Sequence, residues 1–215
     1  MFEIWDIGGG QILGVISNIA CGMGKNTIVF SETGKNFNSM QDYPLFMPSE
    51  ELALKGAKNW NKADKQEYFD WFIKIKSERV SHMLRYIDFC PSGDRYVDLG
   101  QINLKVYELL CESDFHDVRE VDGGKKLNNT GFALVTDFGI YFSMLLEQNS
   151  DKLKWVIAKG SKSYHSYNLP VLTGFSNGEY DFIFLAISKF GYALNHLKAP
   201  YDWVAFLKEM ESRSE

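Results

Sequence analysis

The chain has 215 residues, of which 45% are hydrophobic and 15% aromatic. This composition provides for a substantial buried core and excludes an intrinsically disordered protein. The formal net charge of -5 disfavours a general binder of nucleic acids or anionic membranes, because phosphate contacts need a basic surface, and it suits a basic partner better.

The first part of the sequence holds a glycine cluster, Gly8–Gly10, that invites comparison with phosphate-binding loops. A P-loop needs G-x-x-x-x-G-K-[ST], and here Ile19 and Asn26 stand at two of its fixed positions. A dinucleotide fingerprint needs G-x-G-x-x-G, and here Leu13 takes the place of the third glycine. A hairpin or bulge is therefore the favoured interpretation of this cluster.

Two apolar runs flank that cluster and predict strands, FEIWDI at 2–7 and NTIVFSE at 26–32. Lys25 could contact a phosphate, and Glu32 stands about where a ribose-binding acid would lie after the second strand. A nucleotide- or phosphate-binding enzyme that uses this region therefore stays open as an alternative.

Helical patterns follow a proline-bounded segment, YPLFMP at 43–48, which we expect to be extended. Ser49 predicts the start of a short helix that its side chain would cap and that ends near Gly56. Asn61 opens a longer amphipathic helix, and the apolar spacing in 99–110 predicts another.

The stretch ESDFHDVREVDGGKKLNN at 112–129 loses the apolar period and carries many charges, which indicates an exposed connection with room for a short strand. Four of its residues could ligate a metal or form a general acid and base, namely Asp114, His116, Asp117 and Glu120, and Asp122 adds a further acid to the same stretch. Their spacing matches no specific metal site or acid–base site. We therefore favour a solvated acidic surface that binds a partner.

The C-terminal part is expected to alternate helices and strands. Thr130 is a candidate cap for a central helix that runs to about Glu147, in which Gly139 would allow a neighbouring element to approach closely. The further elements are strands at 154–160 and 169–175, a strongly apolar helix at 181–197, and a last helix at 200–210 that begins at Pro200.

The loop between those two strands is rich in aromatic residues. SYHSYN at 163–168 places His165 between Tyr164 and Tyr167. Such side chains bury much area and keep a hydrogen-bonding group, which is typical of binding interfaces. We take these three residues as a second candidate partner-binding surface, with an ordinary loop as the equally weighted alternative.

Nothing in the sequence nominates catalytic residues, a metal site or a cofactor. The serines lack a G-x-S-x-G elbow. The three cysteines, Cys21, Cys90 and Cys111, form no CxxC pair, so we expect reduced and mostly buried thiols and no zinc. The N-terminus has no basic region before its apolar residues and no apolar run is long enough to span a membrane, which together predict a cytoplasmic protein.

The segment from LVTDFGIYFSMLL through KLKW to NLPVLTGF resembles a pattern in uncharacterised bacterial proteins, some of which are similar to immunity proteins of polymorphic toxins. It covers about the last third of the chain, and it has Ser143-Met144 where similar helices often have Gly-Glu. The resemblance implies core packing and no catalytic residues. The matching positions are Asp137, Gly139, Tyr141, Trp155, Asn168, Pro170 and Gly174.

These observations predict a single α+β domain over 1–215, with amphipathic helices on a small, mostly antiparallel sheet and 91–93 as the best place for a subdomain boundary. The leading hypothesis is a cytosolic bacterial immunity-type protein that binds and neutralises a cognate toxin domain. The alternatives are the nucleotide- or phosphate-binding enzyme and a structural or oligomerisation protein.

Overall fold

Six helices and five short strands make up the part of the chain that the computed structural model describes, residues 43–196 and 199–214. The helices are α1 (Glu50–Lys55), α2 (Lys62–Tyr86), α3 (Arg95–Leu110), α4 (Asn129–Glu147), α5 (Phe182–His196) and α6 (Trp203–Ser212). The strands are β1 (His116–Val118), β2 (Lys125–Leu127), β3 (Lys154–Ile157), β4 (Pro170–Phe175) and β5 (Gly178–Tyr180). The strands predicted at 2–7 and 26–32 lie outside the described residues.

Helix α4 forms the centre of the core. Every residue from Ala133 to Leu146 is buried, because α2, α3, α5 and α6 all pack against this helix. A helix that is apolar on all sides needs such cover. Gly139 lets α5 come close, since a Cβ atom built on it would lie 2.7 Å from the Cα of Ile183. The predicted close approach at this glycine is confirmed.

Two small antiparallel sheets lie beside the helices, and the predicted α+β class is confirmed. Strands β1 and β2 form a hairpin with His116 opposite Leu127. Strands β3, β4 and β5 form the second sheet with β4 in the middle, and Trp155 of β3 packs on Phe72 of α2 with ring centroids 4.8 Å apart. The sequence analysis did not predict β5, which is three residues long.

The boundaries of the first helices agree with the sequence. Residues 43–49 lie in neither a helix nor a strand, α1 ends at Lys55 before Gly56, and Asn61 forms a capping box with Asp64 at the start of α2. The predicted role of Ser49 as a side-chain cap is wrong. Its hydroxyl makes no cap hydrogen bond, and its carbonyl oxygen accepts the amide of Ala53 instead.

Three later helices begin at residues other than those predicted, because another side chain caps the first turn. Asp94 caps α3, which therefore starts before residue 99. Asn128, and not Thr130, accepts the amide of Gly131 at the start of α4. Asp202 caps α6 by accepting the amide of Ala205, so Pro200 precedes the helix.

Candidate binding surface and a buried ion pair

The charged stretch after α3 folds as the β1–β2 hairpin. Asp114, Asp117, Glu120 and Asp122 are exposed on it, as the sequence predicts for a solvated acidic surface. His116 is buried, with its Nδ1 atom 3.0 Å from the carbonyl oxygen of Leu110. It holds the hairpin to the end of α3, so it is not part of the surface that a partner can reach.

The charges of this hairpin are partly paired. The carboxylate of Asp117 lies 3.7 Å from the ammonium of Lys126, and that of Asp122 lies 3.0 Å from the guanidinium of Arg119. These pairs are exposed, so each contributes little to stability. The acids of the hairpin region that form no ion pair with a described residue are Glu112, Asp114 and Glu120.

Apolar side chains lie beside these charges. Val121 at the hairpin turn is 99% exposed, and Val118 and Phe132 are exposed as well. A shallow groove of about 560 Å³ lies between the hairpin and the first turn of α4, with Asp117 and Phe132 among its lining residues. The hairpin therefore offers both apolar and acidic groups to a partner.

The predicted aromatic loop joins β3 to β4 and lies against the start of α5. His165 is exposed and stacks on Phe184 of α5, with ring centroids 3.9 Å apart, while Tyr164 meets His165 edge to face. Tyr167 is half-buried. Asn168 adopts a positive φ of 66° and donates its side-chain amide to the carbonyl oxygen of Ala57, which holds the loop in place.

Helix α5 carries an exposed row of residues that we call the α5 stripe: Phe184, Ser188, Tyr192 and His196. They are four positions apart and therefore lie on one face of the helix. Tyr192 is 57% exposed, and its ring packs on that of His196 at 4.5 Å. Among the 15 residues of α5 the one charged side chain is that of Lys189.

The α5 stripe connects the two surfaces that the sequence predicts. The aromatic loop contacts its first turn through His165 and Phe184. At its other end Asn195 exchanges two hydrogen bonds of 2.7 Å with the main chain of Lys125 in the hairpin. Residues 184 and 195 are about 16 Å apart along the helix axis. Loop, stripe and hairpin thus form one continuous surface, which we call the α5 surface.

Sequence reasoning missed the exposed aromatic residues of α5. It predicted a strongly apolar helix and named none of its side chains as candidates. The sequence does place aromatic residues on both faces of this helix. Phe182 and Phe190 are on the buried face, and Phe184 and Tyr192 are on the exposed face. A helix that is apolar all round is normally covered on every side.

A buried ion pair lies on the other side of α4. The guanidinium of Arg79 on α2 makes two hydrogen bonds with the carboxylate of Asp137, from Nε to Oδ1 at 2.8 Å and from the terminal nitrogen to Oδ2 at 2.7 Å. The hydroxyl of Tyr43 donates to the same carboxylate. Burial raises the pKa of Asp137 to about 6, although Arg79 and Tyr43 both act to lower it.

The sequence analysis named Asp137 and did not name its partner. A buried acid is seldom found without a partner of opposite charge. The position of Asp137 inside an apolar helix therefore indicated that a cation faces it. The 58 positions between Arg79 and Asp137 gave no local pattern that could identify that cation.

The positions that carry the resemblance serve packing in this structure. Asp137 forms the buried ion pair, Gly139 receives α5, and Asn168 holds the loop. Gly174 has a φ of 112°, and a Cβ atom on it would lie 2.3 Å from the carbonyl oxygen of Lys152. Trp155, Tyr141 and Pro170 lie in or against the core.

The described cysteines differ from the prediction. Cys111 is exposed and free, while Cys90 is exposed and disulfide-bonded. The prediction of buried thiols is wrong for both, and that of a reduced thiol is wrong for Cys90. Within residues 43–196 and 199–214, no group of three or more His, Cys, Asp or Glu side chains is placed to hold a metal ion.

The residues of the nucleotide-binding alternative, Gly8–Gly10, Lys25 and Glu32, lie outside the described part of the chain. No helix of the described part is both long enough and apolar enough to cross a membrane. Comparisons with protein-family models, with curated proteins and with solved structures find no match to this chain.

Proposed function

We propose that this protein binds another protein through the α5 surface, and that it acts as an immunity-type protein that neutralises a cognate toxin domain. The observation that carries the proposal is the α5 stripe, an exposed aromatic face between the two loops that the sequence nominates. Aromatic side chains with a polar atom are enriched at the centres of protein interfaces.

The hairpin supports a basic partner. Asp114, just before β1, and Glu120, between β1 and β2, are exposed and form no ion pair with a described residue. Acidic groups at the rim of an interface attract a basic partner and raise the association rate. Toxin domains that cleave nucleic acids need basic surfaces for phosphate, so they suit this chemistry.

Co-expression with a toxin encoded beside this gene tests the proposal. We expect the wild-type chain to restore growth and to form a complex in gel filtration. The double variant Phe184→Ala/Tyr192→Ala should lose both effects, because it removes the exposed rings without changing the core. Leu104→Ala, which truncates an exposed apolar residue on α3, is the matched control and should retain both.

The proposal fails if the wild-type chain neither protects cells nor binds the toxin domain. It also fails if the double variant binds and protects as well as Leu104→Ala does. Circular dichroism of each variant excludes loss of folding as the reason for a loss of binding.

Oligomerisation is a second candidate function, because a second copy of the chain could cover the same stripe. Gel filtration of the isolated protein at micromolar concentration distinguishes the two. A monomer supports a surface kept free for a different protein, whereas a dimer that Phe184→Ala/Tyr192→Ala dissociates supports self-association.

We also propose a cytoplasmic location, which agrees with the finding that no helix of residues 43–196 and 199–214 could cross a membrane. The Cys90 disulfide is the observation against it, since disulfides persist mainly in oxidising compartments. Thiol counting on protein isolated with free thiols blocked at lysis tests this. Three free thiols per chain would support the cytoplasmic location and would show that the Cys90 disulfide does not form in the cell, whereas a disulfide at Cys90 would refute this location.

A further inference from the structure

The segment 43–48, which we call the strap, crosses the surface formed by α2 and α4. Two of its residues, Pro44 and Pro48, have no amide hydrogen to donate. No main-chain to main-chain hydrogen bond joins the strap to another described residue. Segments with few backbone hydrogen bonds open more readily than helices do. Among the described residues, side chains make the hydrogen bonds and ring contacts that hold the strap in place.

Arg79 makes most of the polar contacts with the strap. One terminal nitrogen of its guanidinium donates to the carbonyl oxygens of Pro44 at 2.8 Å and Leu45 at 3.3 Å. The other nitrogens bind Asp137. The guanidinium also lies near the rings of Tyr43 and Phe46, at 5.7 and 5.5 Å from their centroids. One buried side chain thus joins the strap to both helices.

Within the described part of the chain, two aromatic rings also attach the strap to the helices. Tyr43 packs on Tyr86 at 4.8 Å and donates its hydroxyl to Asp137, while Phe46 packs on Trp71 at 5.2 Å. Elsewhere the strap does not lie flush with α2. A groove of about 210 Å³ separates them, and the outer side chain of Met47 is 55% exposed.

We propose that the strap is a latch that opens as a unit while α2 and α4 stay folded, and that the guanidinium of Arg79 holds it closed. The planar guanidinium group carries several N–H donors that point in different directions. Its separate nitrogens can bind a carboxylate on one side and two carbonyl oxygens on the other, which an ammonium cannot do in the same geometry. Opening would uncover Trp71 and would widen the groove beside Arg79.

Native-state proteolysis with chymotrypsin tests this inference on the full-length chain, because the protease can cleave after Leu45 and Phe46 only when the strap leaves the surface. Arg79→Lys keeps the positive charge and removes the fork. We expect the rate of cleavage at these two bonds to rise at least tenfold, while hydrogen exchange of the amides in the middle of α4 keeps its wild-type rate. Arg85→Lys, at an exposed arginine on the same helix, is the matched control and should leave the strap unchanged.

Two results would overturn the latch. One is an unchanged rate of strap cleavage in Arg79→Lys, which would mean that the rings hold the strap. The other is equal acceleration of strap cleavage and of hydrogen exchange in α4, which would mean that the strap opens only when the core unfolds. If Arg79→Lys does not fold, Tyr43→Phe removes one hydrogen bond and leaves the ion pair. It should accelerate strap cleavage alone by a smaller factor, and no acceleration would refute the proposal.

Discussion

His165 stacks on Phe184 although the two residues belong to a loop and to a helix that enter the surface from different directions. Their ring planes are 26° apart and their centroids 3.9 Å apart. Both side chains are exposed, so the stack shields little apolar area from water. It does fix the position of the aromatic loop relative to the α5 stripe, which prepares the surface for a partner at a lower entropic cost.

Removal of the Phe184 ring should affect binding far more than folding. We expect Phe184→Ala to change the free energy of unfolding by less than about 0.5 kcal/mol, because the ring lies at the surface. Its dissociation constant for the toxin domain should rise at least tenfold, as for an aromatic residue at an interface centre. Urea denaturation and isothermal titration calorimetry measure the two quantities. A large loss of stability with unchanged affinity would contradict the assignment.

Alanine substitutions at two helical glycines should have opposite effects. A Cβ atom at Gly139 would lie 2.7 Å from the Cα of Ile183, so Gly139→Ala should destabilise the protein by about 1 to 3 kcal/mol. Gly191 has no atom within 4 Å of the same position, and alanine is the better helix former there. Gly191→Ala should therefore stabilise by up to about 1 kcal/mol. Urea denaturation of both variants tests the pair, and equal effects would refute the close approach of α5.

The raised pKa of Asp137 makes stability depend on pH. The pKa of Asp137 is about 6 in the folded protein, whereas the ordinary pKa of an aspartate carboxyl group is 3.8. Protonation of Asp137 thus contributes fully to the free energy of unfolding below pH 3.8, and this contribution is lost as the pH rises through 6. This amounts to about 3 kcal/mol at most, at roughly 1.4 kcal/mol per pKa unit.

Denaturant unfolding between pH 4 and pH 7 measures this contribution. In the wild type, the free energy of unfolding should fall over this range as Asp137 loses its proton, and Asp137→Asn should not show this fall. The variant should also be less stable at every pH, because Arg79 loses its counterion. Asp117→Asn, at an exposed acid, should keep the wild-type dependence. An Asp137→Asn profile parallel to that of the wild type would show that Asp137 does not titrate in this range.

Complex formation with a basic toxin domain should depend on salt through the hairpin. Replacing Asp114 by Asn and Glu120 by Gln together should lower the association rate about two- to tenfold at low salt, with little change in the dissociation rate. The difference should shrink at high ionic strength because exposed charges are screened. Surface plasmon resonance over a range of salt concentrations measures both rates. A change confined to the dissociation rate would place these acids inside the interface.

The helices could be predicted well wherever local chemistry determines them. The Asn61 capping box and the apolar period that follows it gave the start of α2, and Gly56 gave the end of α1. The start of α4 was missed because Asn128 and Thr130 are both good capping residues. Asn128 also donates its side-chain amide to the carbonyl oxygen of Asp114, a contact across the hairpin that no local pattern reports.

The sequence predicted individual residues of the candidate surface but not how they are arranged. The loop residues Tyr164 and His165 and the acids of the hairpin were identifiable from composition, but their arrangement at the two ends of α5 depends on tertiary packing. His116 was wrongly predicted to belong to the surface. The nearby acids Asp114 and Asp117 are exposed, whereas the ring of His116 is buried and lies against the carbonyl oxygen of Leu110.

The complete burial of α4 also determines where this protein can change during divergence. Nearly any replacement between Ala133 and Leu146 changes a buried contact with a neighbouring helix, whereas Phe184, Ser188 and Tyr192 are exposed and lie outside the core. We expect homologues to keep the first set and to vary the second. A lineage could then acquire a new recognition specificity through a few substitutions on one helix face, with its scaffold unaltered.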